Sequence, residues 1–161
     1  MKAGALFVGL ALAFFVEALP LGPLYAQLHP DFVALLILYW ALSSSQALSY
    51  VVTWLIGLLQ DLLLGDLLGA QAISLVLMLV LLYTWMSRVR RLPPWEQLFF
   101  IFFLLLAQHL SAWLWQLWVG PIAWHDSLLL GPALGAALWP LLTYLLDQLQ
   151  RHWPQWGGVS R

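Results

Sequence analysis

An all-α polytopic membrane protein of about six transmembrane helices is the fold class the sequence predicts. Hydrophobic residues make up 63% of the 161-residue chain and charged residues 8%, with a mean hydropathy of +0.89. A soluble domain carries about 25% charged residues. Long apolar runs follow one another along the whole chain, parted by clusters of Pro, Gly, Ser and Arg, and about 20 apolar residues suffice to cross a bilayer. The basic residues fall in three places only: Lys2, then Arg88, Arg90 and Arg91, then Arg151 and Arg161. Six spans put all three on one side, which the positive-inside rule makes cytoplasmic. The expectation is one transmembrane domain over residues 1–161, with N- and C-termini in the cytoplasm.

The first run, 4–19, follows Lys2 and stops at Pro20-Leu21-Gly22-Pro23. Its end, Val16-Glu17-Ala18, also resembles a signal-peptide cleavage site; we expect a retained helix. His29-Pro30-Asp31 opens the second run, 31–48, with Asp31 near the helix N-terminus, and Ser43-Ser44-Ser45-Gln46 breaks it. Tyr50 to Met86 is one apolar stretch that would be about 55 Å long as a single helix, too long for one crossing. Its only strong punctuation is Gly65-Asp66, so we expect a tight hairpin of spans 50–64 and 67–86. The fifth run, 95–119, starts at Pro93-Pro94-Trp95-Glu96, where proline suits the first turn and Glu96 the positive end of the dipole. The last, 128–148, carries Pro140 in its middle. Five full spans is the other possible count, since the third run is short.

Composition excludes several functions. With no Cys, there are no disulfides, thiolate metal sites or Cys nucleophiles. A net charge of −1 gives no basic surface for nucleic acid,. No phosphate-binding Gly loop, HExxH or Ser–His–Asp order occurs, and His125 with Asp126 is too sparse for a metal site. We expect no enzyme activity and no cofactor.

Ionisable groups at membrane depth are costly and usually face protein or water. Asp61 stands out, because Gly57, Asp61, Gly65 and Gly69 are spaced by four. On a helix the first three line one small stripe that another helix could approach closely, so these four are the candidate helix-packing or partner surface. Asp66 reads as a turn residue capping the next helix. Gly131, Pro132, Gly135, Trp139 and Pro140 suggest a kinked last helix that could line a cavity. Gln108 and His109 read as hydrogen-bonded packing residues. Arg88, Arg90, Arg91 and Trp95 form a cytoplasmic loop suited to setting topology and binding lipid headgroups.

Three ordered blocks resemble the rod-shape-determining protein MreD family. They are Pro30-Asp31-Phe32 with Leu38-Tyr39-Trp40-Ala41-Leu42; Gly57-Leu58-Leu59-Gln60-Asp61-Leu62-Leu63-Leu64-Gly65 with Leu67-Leu68-Gly69; and Leu138-Trp139-Pro140-Leu141. The Arg cluster before Pro-Trp-Glu-Gln at 94–97 also looks like the family's central loop. Asp66 stands where the family pattern has a small polar residue, and Gly135 where it often has Asn. The resemblance implies a non-catalytic scaffold of the cell-elongation machinery in the bacterial inner membrane. Its implied partner is MreC, a single-span protein bound through its transmembrane helix and adjoining segment, and the implied role is regulation of peptidoglycan synthesis and cell shape. It also implies a larger assembly with MreB, RodZ, RodA and its penicillin-binding transpeptidase, and a fold similar to the substrate-binding subunits of vitamin-uptake transporters. That likeness keeps one alternative open, a small-ligand-binding membrane protein using Asp61, Gln108 and His109 around a cavity.

Overall fold

The computed structural model describes residues 3–17, 19, 30–44, 47–65, 67–118 and 127–152. Among them are six helices and no strand: α1 Ala3–Glu17, α2 Phe32–Ser43, α3 Tyr50–Leu64, α4 Ala70–Val89, α5 Pro94–Leu117 and α6 Ser127–His152. Three are long and apolar enough to cross a bilayer, over Ala70–Val89, Trp95–Leu117 and Leu129–Gln148. α1 and α3 have 15 residues each and α2 has 12. At 1.5 Å per residue these reach about 22 and 18 Å, less than the ~30 Å hydrocarbon core.

α2 explains how so short a helix belongs in the bundle. Every residue from Val33 to Ala41 is buried, as a helix that is apolar all round should be. α2 is therefore the centre of the packing, not a lipid-facing span. It ends at Ser43, short of the 48 expected from hydropathy, because Ser44 leaves the helix with extended backbone. The freed polar groups are met by α4. Arg90 Nη2 donates to Ala41 O (3.2 Å) and Ser44 O (2.7 Å). The Tyr83 hydroxyl accepts from Leu48 N and donates to Leu48 O (3.1 Å). Arg90 thus clamps α4 to the end of α2 from an exposed position, and Arg88 belongs to the last turn of α4.

Hydrogen bonds between elements fix their directions. The C-terminal ends of α2 and α4 meet through Arg90, and Tyr39 of α2 donates to Asp147 Oδ1 near the end of α6 (2.5 Å). The C-terminal end of α3 lies against the start of α4. Glu17 at the end of α1 bonds Val33 N, and Gln108 in the C-terminal half of α5 bonds Asp31, so the C-terminal halves of α1, α3 and α5 gather with the N-terminal ends of α2 and α4. The described arginines are at the opposite end.

α5 opens with Pro94 at its first turn and Glu96 beside the dipole's positive end. α6 runs as one helix through Pro132 and Pro140. Its Gly135 faces inward: a Cβ there would come within 2.8 Å of Leu105 Cδ1 and 3.6 Å of Pro30 Cβ. Trp139 is buried and Pro140 faces out. Asp66, His29, His125 and Asp126 lie outside the described residues.

Candidate functional site

The stripe at 57–69 belongs to the α3–α4 hairpin itself. A Cβ at Gly57 would lie 2.4 Å from Ala72 Cα and 2.7 Å from Ala72 N. The clash is with backbone, so only glycine lets the two helices touch here. One turn later Asp61 is fully buried. Its Oδ2 accepts from Gly69 N (2.8 Å) and its Oδ1 from Gln71 N (2.9 Å). α4 begins at Gly69, which has no side chain to cap the helix. Asp61 supplies the missing carboxylate from across the hairpin, at the positive end of the α4 dipole.

Gly65 and Gly69 do different work. Gly65 ends α3 with φ 72° and its N–H bonded to Asp61 O, a left-handed cap,. Gly69 has φ 97°. Both have open space around them, so it is conformation and not close packing that requires glycine there. Of the four residues expected to form a helix-packing or partner surface, Gly57 and Asp61 lie on a helix contact within the chain. Gly57 and Asp61 face α4 of the same chain, and Gly65 has left the helix before it could extend the stripe.

Asp61 joins a wider polar network through Gln71. Gln108 Nε2 donates to Gln71 Oε1 (2.9 Å) and to Asp31 Oδ2 (2.8 Å). Asp31 caps α2, its Oδ1 accepting from Ala34 N (2.7 Å). Gln60 Nε2 lies between two acids, 3.3 Å from Asp31 Oδ1 and 3.2 Å from Glu17 Oε2. Glu17 Oε1 accepts from Val33 N (3.1 Å), so the start of α2 holds both carboxylates. His109 Nδ1 is 2.9 Å from Gln108 Oε1. The amide oxygen can only accept, so this nitrogen carries the hydrogen. Glu17, Asp31, Gln60, Asp61 and Gln108 are all buried. The network links α1 through α5 at one end of the bundle.

The sequence singled out Asp61, Gln108 and His109, and the structure brings them into one network through Gln71. It did not point to Glu17, Gln60 or Gln71 as network residues, nor to Asp31 beyond its place at a helix start. A signal was available: helix by helix, every one of these falls toward the same end. Gln60 Oε1 is buried with no hydrogen-bond partner, because the amide is turned to give its NH2 to the two acids. Such an oxygen costs about 1–3 kcal/mol.

The distances at Asp61 give a testable ranking. Asp61→Leu strands two part-buried backbone N–H groups and is expected to lower stability by roughly 2–4 kcal/mol, whereas Asp61→Asn keeps one acceptor and loses about half of that. Thermal unfolding in detergent checks the order. Equal melting of Asp61→Leu and wild type would contradict the capping role.

Comparison with known proteins places this architecture. The sequence model of the rod shape-determining protein MreD family matches residues 2–149. The chain is 26% identical over 140 residues to the rod shape-determining protein MreD of Haemophilus influenzae, covering 87% of this chain and 86% of that protein. No solved structure matches. The match takes in all of α1 to α5, most of α6 and every residue of the polar network, and the chain accordingly belongs to the rod shape-determining protein MreD family.

Proposed function

We propose that this chain is a non-catalytic, multi-pass scaffold of the bacterial inner membrane, with both termini cytoplasmic. It binds the transmembrane helix and adjoining segment of MreC. Through the assembly with MreB, RodZ, RodA and its penicillin-binding transpeptidase, it helps regulate peptidoglycan synthesis and so cell shape. Membership of a rod shape-determining family supports the role. The observation that carries the scaffold reading is how the interior polar groups are used. Asp61, Asp31, Glu17 and Gln108 bond to helix-end amides and to one another, which locks helices together and leaves an apolar exterior for contact.

The docking surface is then drawn from outward side chains such as Leu55, Leu59 and Leu62 on α3 or Leu141 and Leu145 on α6. The small-ligand alternative would need Asp61, Gln108 and His109 to face a cavity; their bonds to protein neighbours speak against it.

The test is to recover the tagged chain from membranes in mild detergent and count MreC beside it. Stoichiometric MreC is expected, with rod shape restored to cells lacking their own copy. Recovery of the folded chain without MreC, or with a tightly held small molecule in its place, would overturn the proposal.

A further inference from the structure

We propose that Arg88 and Arg91, beside Trp85 at the end of α4, form a binding site for the headgroup of an anionic phospholipid. The three neighbouring arginines do not share one task. Arg90 lies about 200° round the helical turn from Arg88, and it reaches inward to the carbonyls of Ala41 and Ser44. Arg88 and Arg91 are three residues apart, and the helical bonding continues between them, with Arg91 N donating to Arg88 O (3.0 Å). They therefore lie on adjoining parts of one face, both exposed,.

Most of their donors are unspent. The Arg88 guanidinium sits over the Trp85 ring, 5.2 Å from its centroid, and among the described residues it makes no hydrogen bond to protein. Arg91 uses only Nε, which donates to Ser87 O (2.8 Å), leaving both terminal nitrogens open. Guanidinium forks match phosphate oxygens in bidentate geometry. Trp85 and Trp95 are also exposed at this end, 44% and 62%, and indoles favour the headgroup level. Two fixed cations, an aromatic platform and indoles at the interface together suit a lipid phosphate more than a water-facing anion. Trp85 holds Arg88 in place, so less side-chain freedom is lost when a headgroup binds.

The probes are phosphatidylglycerol and phosphatidylcholine, titrated separately into the delipidated protein in neutral detergent, with bound lipid counted by native mass spectrometry. Wild type is expected to prefer phosphatidylglycerol by at least roughly tenfold, from about a factor of five per arginine. The double variant Arg88→Gln with Arg91→Gln is expected to bind the two lipids within about twofold of each other. Both side chains are exposed, so its melting should match wild type. Arg88→Lys with Arg91→Lys should keep most of the preference through charge alone. Equal binding of the two lipids by wild type would overturn the proposal. So would a Gln double variant that keeps the full preference, or an acidic peptide that binds wild type while phosphatidylglycerol does not.

Discussion

Asp31→Leu will destabilise the folded bundle by roughly 3 kcal/mol, counting about 1 for the lost cap and about 1 for each of two interhelical bonds. Asp31 makes three side-chain hydrogen bonds in the network. It caps α2 through Ala34 N, accepts from Gln60 on α3 and accepts from Gln108 on α5. Leucine has the same branched skeleton with methyl groups in place of the oxygens, so bonding is lost and no cavity is opened. Two amide groups would be left buried beside it, and Gln60 already has one oxygen unpaired. Asp31→Asn retains the cap and is expected to lose less than half as much. Unfolding by heat or by titrated SDS in mixed micelles measures the difference. A variant as stable as wild type would show that the network is not what joins α2 to α3 and α5.

The second large effect is at Gly57. Gly57→Ala alone is expected to cost about 1–3 kcal/mol, the range for overpacking a rigid contact, and Gly57→Leu more than that. The contact atoms are Ala72 Cα and N and Gln71 C, all backbone. Shrinking the neighbour therefore gives no relief, and Gly57→Ala combined with Ala72→Gly should remain as unstable as Gly57→Ala. If the double variant recovers, the helices are held apart by the Ala72 methyl and the approach is looser than described. Moving α3 away from α4 also pulls Asp61 off Gly69 N and Gln71 N, so Gly57 and Asp61 substitutions should combine less than additively.

Residues whose purpose is local were legible in the sequence. The Gly65 break, the Pro94 start and the unusual depth of Asp61 each follow from backbone chemistry over a few positions. The spacing of Gly57 and Asp61 showed that a helix would come close, but spacing cannot say whether that helix belongs to the same chain. The structure answers with Ala72, fifteen positions on across the hairpin. That these polar residues share one end was legible helix by helix, but which of them bond was not, because the bonds join residues distant in sequence, Gln108 to Asp31 across 77 positions and Gln60 to Glu17 across 43. No periodicity connects them. Glu17 alone reads as the polar end of an apolar run, and Gln60 is easily passed over beside Asp61. Hydropathy likewise missed the early end of α2. An apolar stretch says that residues avoid water, not whether they meet lipid or other helices, and α2 meets helices on all sides.

The buried polar residues build the bundle, and the proposed partner recognition uses its exterior. The most direct measurement is the amount of MreC recovered per folded molecule of Asp61→Asn, with the folded fraction taken from its melting curve. Wild-type recovery is expected, because Asp61 is fully buried against α4 and touches no outer surface. A folded Asp61→Asn protein that fails to recover MreC would contradict it, since the carboxylate would then act on the partner.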